Sequence, residues 1–412
     1  MSAATAVLQR LPDIRSWQED LYRDLHRHPE LSHQEHRTAQ LVVDRLRAAG
    51  YEVHDRIGGT GVVGILRNGS GASVLLRADM DALPVQEATG LPYASTVRSG
   101  EVPVMHACGH DAHVTCLLGA ATLLAEGADQ WSGTAIAVFQ PAEELGDGAR
   151  GMVEDGLAEL LPPVDVALAQ HVFPIPAGRV ATHRGPMLAA ADSIRITVYG
   201  RGAHGSMPQA GVDPVVLAAM IVLRLQTIVS REIAATETVV LTVGSIHAGS
   251  KSNVISDRAV LEVNLRTYDD TVRDAVLAAI RRIVAAECQA SNSPKEPDFE
   301  FYDRFPPTVN DDAVTDRVSE AFAGFFGERF SPIGAGAASE DFSDLPRGLG
   351  APYTFWGIGG TDEQLYRTAV ESGRVAQDIP VNHSPTFAPV IQPTLDTGTQ
   401  ALVVAALAWL AT

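Results

Sequence analysis

The sequence predicts an α/β fold into which a second, ferredoxin-like α+β domain is inserted. Three observations lead to this prediction. Short β-rich runs alternate with helical patterns over most of the chain, and several runs end in polar residues. From about residue 188 to 306 the order becomes β-α-β-β-α-β, as in a ferredoxin-like sandwich. A chain of 412 residues is also long enough for two domains. We therefore place one domain at residues 1–187 and 307–412 and the inserted domain at 188–306.

The amino-acid composition excludes some classes of binding partner and favours one cellular compartment. The formal net charge is −19, from 31 Lys+Arg against 50 Asp+Glu, which argues against nucleic acid and anionic membranes as partners. Three cysteines, Cys108, Cys116 and Cys288, are too few for a disulfide framework and favour a reducing, cytoplasmic location. No basic segment followed by an apolar run opens the chain, and no uninterrupted apolar run reaches ~18 residues. We therefore expect neither a signal peptide nor a membrane span.

The first 84 residues predict two helices and three strands. The helices cover Ile14–Arg27 and His36–Ala49, and the strands cover Tyr51–Arg56, Gly61–Arg67 and Ser73–Ala78.

Two polar clusters accompany these elements. His26 and His28 lie between the helices and could bind a metal, but Pro29 breaks the helix there, so we favour a structural turn. Asp79 and Asp81 follow the third strand and share one face of it. They either serve a site at the strand end or cap a turn.

Residues 105–113, Met-His-Ala-Cys-Gly-His-Asp-Ala-His, hold the densest group of possible metal ligands. Cys108 and His110 are separated only by Gly109, which lets the backbone turn so that both face one ion. A thiolate beside an imidazole suits zinc, cobalt or manganese better than calcium or magnesium. The alternative is a helix start capped by Asp111, with incidental histidines. A helix over Ala112–Ala125 follows, in which Cys116 serves packing.

Two further strands end in candidate site residues. Ser132–Phe139 leads to Glu143 and Glu144. Adjacent carboxylates usually indicate solvent exposure, but after a buried strand they can divide the work, one binding metal and the other carrying a proton. Val164–Ala169 leads to Gln170 and His171. A histidine at a strand end is a good third ligand, whereas a lone histidine is more often structural.

The sequence of the inserted domain predicts four strands and two helices. In chain order they are Ser193–Tyr199, Asp213–Arg231, Glu237–Ile246, Arg258–Arg266, Asp270–Gln289 and Asp298–Tyr302. The loop at residues 200–208 is glycine-rich, but it matches neither GxGxxG nor a Walker pattern. We interpret it as a loop that presents His204.

After residue 307 the first domain resumes. Gly334–Phe342 is rich in glycine and alanine, Tyr353–Gly357 is a strand, and Thr394–Trp409 is a buried closing helix. A loop before that helix carries His383, a candidate fourth histidine.

These motifs together resemble one family, the metallo-amidohydrolases that include aminoacylases, hippurate hydrolases and plant auxin-conjugate hydrolases. The resemblance runs from about residue 14 to the C-terminus. Runs at 169–173 and 225–232 are especially similar to the bacterial N-acyl-glutamine aminoacylases. The motifs that carry it, in chain order, are Arg77-Ala-Asp-Met-Asp-Ala-Leu-Pro, Met105-His-Ala-Cys-Gly-His-Asp-Ala-His, Gln140-Pro-Ala-Glu-Glu, Gln170-His171, Gly202-Ala-His204, Asn253-Val-Ile and His383-Ser-Pro.

The resemblance implies a metallopeptidase-type catalytic domain, a mixed sheet flanked by helices, and a lid domain that also dimerises. It implies one or two divalent transition metal ions, Zn or Mn with Co as another candidate. The implied metal ligands are Cys108, His110, Glu144, His171 and His383. Glu143 matches the family's general base, and we place Asp81 among the catalytic residues. His204 matches a lid histidine that reaches the partner's active site, and Asn253 and Arg266 match positions that bind the substrate.

The activity implied is hydrolysis of N-acyl amino acids to a carboxylate and a free amino acid by a metal-activated water. The chain departs from the family at Ser256, where proline is common, and at Phe173, where tryptophan is common; the second could alter a substrate pocket. Alternatives are a dipeptidase or carboxypeptidase of the same group and a non-catalytic metal-binding dimer, although no ligand is lost. A thiol redox protein would need Cys-x-x-Cys, which the sequence lacks.

Overall fold

The structure is a computed structural model that describes residues 2–411. The chain folds as two compact units. The first unit takes in the described residues up to Met187, then Val309–Ala335, and the described residues from Asp341 onward. The second unit consists of Leu188–Thr308 and Gly336–Glu340.

The α-helices of the described residues are α1 (Ala3–Leu8), α2 (Leu11–Arg27), α3 (His36–Ala48), α4 (His110–Glu126), α5 (Gly148–Glu154), α6 (Leu157–Leu160), α7 (Pro214–Thr227), α8 (Asp270–Ala290), α9 (Asp312–Phe326), α10 (Asp344–Leu349), α11 (Glu363–Glu371), α12 (Val375–Asp378) and α13 (Ile391–Leu410).

The strands are β1 (Glu52–Ile57), β2 (Gly61–Asn68), β3 (Ser73–Asp79), β4 (Arg98–Ser99), β5 (Val102–Pro103), β6 (Gly133–Gln140), β7 (Val166–Pro176), β8 (Val180–Thr182), β9 (Gly185–Leu188), β10 (Ala190–Tyr199), β11 (Ala203–His204), β12 (Val239–Ala248), β13 (Val254–Ile255), β14 (Arg258–Thr267), β15 (Asp298–Phe305), β16 (Thr308–Asn310), β17 (Phe330–Pro332) and β18 (Tyr353–Thr361).

The first unit is built on a mixed sheet of eight strands in the order β1-β2-β6-β3-β7-β18-β8-β17. β3 pairs in parallel with both β6 and β7, and β7 pairs in parallel with β18. Every residue of β3 is buried, as expected for a parallel strand covered on both faces. The carboxyl ends of β3, β6 and β7 therefore lie at one edge of the sheet. The predicted α/β class with a large mixed sheet is confirmed.

Two apolar helices, α4 and α13, form the centre of the first unit's core. They pack closely because glycines lie between them and their neighbours. A Cβ at Gly398 of α13 would lie 2.6 Å from the Cys116 sulfur of α4. A Cβ at Gly119 of α4 would lie 2.0 Å from the Gln18 amide nitrogen of α2. This packing fixes the start of α4, which carries His110, against the sheet. Cys116 is buried in the core, as the sequence predicts.

The second unit is a four-stranded antiparallel sheet in the order β12-β14-β10-β15. With α7 between β10 and β12 and α8 between β14 and β15, the chain order is β-α-β-β-α-β. Buried apolar residues from α7, α8 and the sheet form one separate core. The predicted ferredoxin-like α+β arrangement is confirmed.

Several elements differ from their predicted bounds. The sequence predicts a strand that ends at Ala169, but β7 continues to Pro176 because β18 pairs with it along most of this length. His171 therefore lies inside a strand. α4 begins at His110, two residues earlier than predicted. Its N-cap is Gly109 with φ +92°, so the cap predicted for Asp111 in the alternative interpretation is wrong.

Within the described residues, one helical stretch, Pro214–Glu232, is long and apolar enough to cross a membrane by length and composition alone. It comprises α7 and a π-helical turn at Ile228–Glu232, where the α-helix predicted to reach Arg231 stops at Thr227. The stretch is apolar on average, although Arg224 and Arg231 interrupt it. One side of this helix packs on the second unit's sheet, so a single such helix is weak evidence for a membrane.

Candidate metal centre

The carboxyl edge of the first unit's sheet gathers the predicted site residues of that unit. Asp79 ends β3, Asp81 follows it, and Glu143 and Glu144 lie in a 3-10 turn just after β6. Cys108 and His110 flank the start of α4. Seven of the predicted residues come together here: Asp81, Cys108, His110, Glu143, Glu144, His171 and His383.

Two groups of possible ligands share Glu144. Cys108, Glu144 and His383 offer a thiol, a carboxylate and an imidazole. His110, Glu143 and Glu144 form the second group, and the ligand atoms in each group lie within 4.8 Å of one another. His383 Nε2 is 3.2 Å from Glu144 Oε2. His171 lies beside the first group, because its Nε2 is 3.4 Å from the Cys108 sulfur.

The two buried imidazoles are oriented by backbone carbonyls. His110 Nδ1 donates to the Asp81 carbonyl oxygen at 2.9 Å, and His171 Nδ1 donates to the Val172 carbonyl oxygen at 2.9 Å. A hydrogen bond of this kind fixes the tautomer and leaves Nε2 with a lone pair for a metal. Both histidines therefore present Nε2 as their candidate ligand atom.

Unsatisfied buried atoms support metal binding at these residues. His110 Nε2 and Glu144 Oε1 are buried and have no hydrogen-bond partner among the described residues. His110 Nε2 lies 3.8 Å from Glu143 and 3.9 Å from Glu144, too far for hydrogen bonds. Two ligand atoms each ~2.0–2.2 Å from one ion stand at most about 4 Å apart. The spacing and the mixed N, O and S donors therefore fit a transition metal.

The electrostatics of the centre also favour a cation. Burial raises the pKa of the Cys108 thiol, and the Glu144 carboxylate raises it further. Hydrogen bonds that His383 donates to Cys108 and Glu144 raise the pKa of its imidazole to about 10. Burial lowers the pKa of His110, but Asp79 and Cys108 outweigh burial and hold it well above its usual value. These groups form an electron-rich cluster that a divalent cation would stabilise.

A third group, Asp79, His110, His113 and His171, also lies within ligand distance. His113 is not available as a ligand, however. Its Nδ1 donates to Asp79 at 2.6 Å, and its Nε2 accepts the Val172 backbone N–H at 2.8 Å. Both ring nitrogens are occupied, so we assign His113 to holding the backbone beside His171.

Asp81 lies behind the turn that carries the two glutamates. Its carboxylate accepts the backbone N–H groups of Glu143 at 3.1 Å and of Glu144 at 3.0 Å, and the Ser32 hydroxyl at 2.7 Å. Its own backbone carbonyl orients His110. Asp81 therefore positions the residues of the centre through hydrogen bonds.

Sequence analysis missed three residues that support the centre: His113, Asn382 and Glu35. Asn382 Nδ2 donates to the backbone carbonyls of Cys108 and Val172, both at 3.1 Å, and so ties together three ligand segments. Glu35 accepts the Ala142 backbone N–H at 2.9 Å. His113 belongs to the 105–113 motif, but the sequence does not show that its ring nitrogens contact Asp79 and the Val172 backbone. Asn382 and Glu35 act on backbone groups, which side-chain patterns do not reveal. Their adjacency to named motifs was the only signal.

His26 is a structural residue, as the favoured interpretation predicts. It is fully buried within α2, and its Nδ1 lies 2.7 Å from Asp111 and its Nε2 3.2 Å from Glu87. The predicted turn follows it, since α2 ends at Arg27. His28 is exposed and contacts Asp24.

The second unit carries His204, Asn253 and Arg266. His204 is exposed on β11, and its Nδ1 accepts the Ser206 backbone N–H at 3.1 Å, which leaves the ring hydrogen of the neutral imidazole on Nε2. Gly205 N–H donates to the Asn253 carbonyl at 2.7 Å, so these two loops lie together. Arg266, on β14, donates to Asn264 at 3.0 Å and to Ser339 at 2.5 Å.

The sequence matches known proteins over most of its length. A family model described as peptidase family M20/M25/M40 matches residues 75–376. Thermostable carboxypeptidase 1 of Saccharolobus solfataricus is 38% identical over 359 residues, 85% of this chain and 88% of that protein. N-acetyl-L-cysteine deacetylase of Bacillus subtilis is 38% identical over 344 residues, 82% of this chain and 79% of its own. Hippurate hydrolase of Campylobacter jejuni is 38% identical over 343 residues, 82% of this chain and 86% of its own.

A solved structure agrees with these matches. The crystal structure of a Bacillus subtilis protein described as a dinuclear metal-binding peptidase of family M20 superposes with a TM-score of 0.76. The alignment is 29% identical and covers 96% of this chain and 99% of that one.

Proposed function

The chain belongs to peptidase family M20/M25/M40, and from that membership we propose that it is a metal-dependent amidohydrolase that cleaves N-acyl amino acids to a carboxylate and a free amino acid. The observation that carries the proposal is the group of His110, Glu143 and Glu144, in which a buried glutamate stands beside two candidate ligands. Relatives named N-acetyl-L-cysteine deacetylase and hippurate hydrolase support the substrate class.

Cys108, His110, Glu144, His171 and His383 would hold the metal. A divalent metal held by these residues supplies Lewis acidity, which polarises the scissile carbonyl and lowers the pKa of water towards ~7. Glu143 lies 3.8 Å from His110 Nε2 and is next to Glu144 in the chain. In that position it takes a proton from the attacking water and transfers it to the leaving amine. Asp81 fixes its backbone during both transfers.

We further propose that two ions bind per chain, because Glu144 belongs to two ligand groups and a similar structure is described as dinuclear. Zinc or manganese fits the mixed donor set, with cobalt a third candidate. Metal analysis of dialysed protein should then give about two ions per chain, following the ligand count. A stoichiometry of one would restrict the centre to one of the two groups.

The second unit offers a surface for a second copy of the chain, and we propose a homodimer through it. Val216, Met220 and Leu223 form an exposed stripe at helical spacing on α7. β12 is an edge strand of the sheet and exposes Val240 and Ile246. An apolar helix stripe beside a long open edge favours a symmetric contact.

We also propose a reducing compartment such as the cytoplasm. Cys108, Cys116 and Cys288 are buried thiols, and none forms a disulfide within residues 2–411. A thiol in the metal centre also works best where it stays reduced.

Purified protein, stripped by chelation and reloaded with Zn²⁺, Mn²⁺ or Co²⁺ in turn, tests the function. The substrates are N-acetyl and N-benzoyl amino acids, and matched dipeptides with a free amine. We expect amino acid release from the N-acyl substrates, only with metal. Preference for the dipeptides would favour the second candidate, a dipeptidase or carboxypeptidase, which the carboxypeptidase relative suggests. Metal binding without turnover of either set would indicate a non-catalytic protein.

A further inference from the structure

The turn that carries Glu143 and Glu144 begins at a residue in an unusual conformation. Ala142 has φ +49° and ψ +42°, the left-handed region that residues with a Cβ rarely adopt. It is fully buried and immediately precedes the two glutamates. The direction in which Glu143 leaves the strand therefore depends on holding Ala142 in this conformation. Such strain persists only where the surroundings enforce it.

A buried carboxylate from a distant part of the chain contacts Ala142. Glu35, just before α3, accepts the Ala142 N–H at 2.9 Å and the His33 N–H at 3.0 Å through Oε1. Its Oε2 accepts the Thr60 hydroxyl at 2.6 Å. The Glu35 side chain is fully buried. All three partners are donors, so a carboxylate, which only accepts, matches them.

Capping of α3 does not explain Glu35, although Glu35 occupies the N-cap position of that helix. Its side chain makes no capping hydrogen bond to α3. Glu30 performs that task instead, because its carboxylate accepts the N–H groups of Arg37 at 2.9 Å and Thr38 at 2.8 Å. The Glu35 carboxylate is therefore free of the capping role and accepts the Ala142 N–H instead.

The contact is made at a cost, which argues for a specific use. Burial raises the pKa of Glu35, and the nearby Asp81 carboxylate raises it further. Asp81 itself accepts the next two amides, those of Glu143 and Glu144. The N–H groups of Ala142, Glu143 and Glu144 thus donate hydrogen bonds to two buried carboxylates. These two carboxylates, of Glu35 and Asp81, repel each other.

We propose that Glu35 is a positioning residue for the reaction: its carboxylate holds Ala142 in the left-handed conformation and so aims Glu143 at the substrate and Glu144 at the metal. This role rests on the proposed amidohydrolase function. Glu35 touches neither substrate nor metal, and it acts only through the backbone of the turn.

Glu35→Asp is the main test. It keeps the charge but shortens the side chain by one methylene, so the carboxylate no longer reaches the Ala142 amide. We expect kcat to fall by up to about 10²-fold, the cost of an ~1 Å misplacement, with KM nearly unchanged. Glu35→Gln keeps an acceptor oxygen for Ala142 and should retain most of kcat. Thr60→Ala removes only the third partner and serves as the matched control, with kcat near wild type.

Two readouts separate positioning from simple stabilisation. Hydrogen exchange of the 140–146 peptide should quicken in Glu35→Asp and not in Thr60→Ala. The loss in kcat should also shrink when Glu35→Asp is combined with Ala142→Gly, because glycine adopts a left-handed φ without enforcement.

Three outcomes are distinguishable. A folded, metal-loaded Glu35→Asp protein with wild-type kcat and wild-type exchange would overturn the proposal. So would an equal loss of kcat in the Ala142→Gly background. If the wild-type protein hydrolyses no N-acyl amino acid, the proposed function fails, while the exchange measurement still decides whether Glu35 holds the turn.

Discussion

At the scale of single residues, Glu143 and Glu144 are adjacent carboxylates in different surroundings. Glu144 contacts His383 and has one buried oxygen without a partner among the described residues. Glu143 is nearer to His110 but belongs to only one of the two groups that contain Glu144. One turn thus presents two carboxylates in different surroundings.

We predict opposite effects from replacing each of them. Glu143→Gln should keep the metal and the fold but lose at least about 10²-fold in kcat, because the proton carrier is gone. Glu144→Gln should lose metal first, since it weakens a ligand shared by two groups. Metal content and kcat of both variants, measured on the same preparations, check this. Metal loss in Glu143→Gln with full occupancy in Glu144→Gln would mean that the roles are exchanged.

The sequence could predict the ligand types at the site but not their support. Cys108, His110 and Glu144 belong to short motifs whose chemistry is visible in the side chains. Glu35 and Asn382 act on backbone carbonyls and amides of distant segments, which depend on how the loops meet in three dimensions. No pattern of side chains encodes such a contact.

At the scale of elements, His26 joins α2 to the start of α4. Its imidazole lies between the carboxylates of Asp111 and Glu87, with Tyr22, Tyr93 and His106 also around it. Burial lowers the pKa of His26, but hydrogen bonds to Asp111 and Glu87 outweigh it and raise the pKa to about 9 from 6.5. The folded protein therefore holds this proton more tightly than the unfolded chain does.

We predict that this triad makes stability fall in alkaline solution. A raised folded pKa contributes stability that is complete below pH ~6.5 and is lost as the pH rises through about 9. The loss should be of the order of 3 kcal/mol. Urea unfolding of metal-loaded protein from pH 6.5 to 9.5, compared with His26→Gln, measures it. A His26→Gln protein with the same pH dependence as wild type would refute the assignment.

The ends of several strands and helices could not be predicted from local sequence patterns. β7 and β18 both extend beyond their predicted ends because they pair with each other, and pairing partners are not visible in either segment alone. The start of α4 moved to His110 because Gly109 adopts a positive φ. By contrast, the prediction for α8 is only one residue short, and β10 ends where predicted but begins three residues earlier, at Ala190.

At the scale of the whole molecule, the apolar stripe on α7 leads to a test of assembly. Leu223→Asp should break the proposed dimer, because it places a charge in the apolar stripe that forms the proposed contact. The matched control is Val370→Asp, which charges an exposed valine of the first unit; the two side chains are 67% and 54% exposed. Sedimentation at micromolar concentration should give monomers for the first variant and dimers for the second. A monomeric wild-type protein with full activity would contradict the dimer.

His204 tests whether two copies share a site. Its Nε2–H is a donor suited to the developing oxyanion, so His204→Ala should lower kcat by about 10²–10³-fold with unchanged metal content. Mixed with Glu143→Gln, it should recover up to about a quarter of wild-type activity, since half the dimers then hold one complete site. Mixing Glu143→Gln with the double variant should recover nothing. No recovery despite proven subunit exchange would place His204 in its own chain's site or in none.

The extent of the second unit shows a further limit of sequence-based prediction. The sequence places an insertion at residues 188–306, and the compact unit of the structure is Leu188–Thr308 together with Gly336–Glu340. That short segment joins the unit through hydrogen bonds from Tyr268 to Gly336 and from Arg266 to Ser339. A segment rich in glycine and alanine gives no indication in the sequence of which domain it contacts.

The position of α13 in the core has a consequence for biosynthesis. The helix α13 packs with α4 and with α1 and α2 from the beginning of the chain, so the first unit's core is closed by its last helix. The strands and helices of the second unit, by contrast, are contiguous in the chain. During translation at about 5–20 residues per second, the second unit can fold on the ribosome, whereas the first waits on the order of ten seconds longer for α13. A nascent chain stalled before Ile391 would expose the apolar faces of α4 to chaperones.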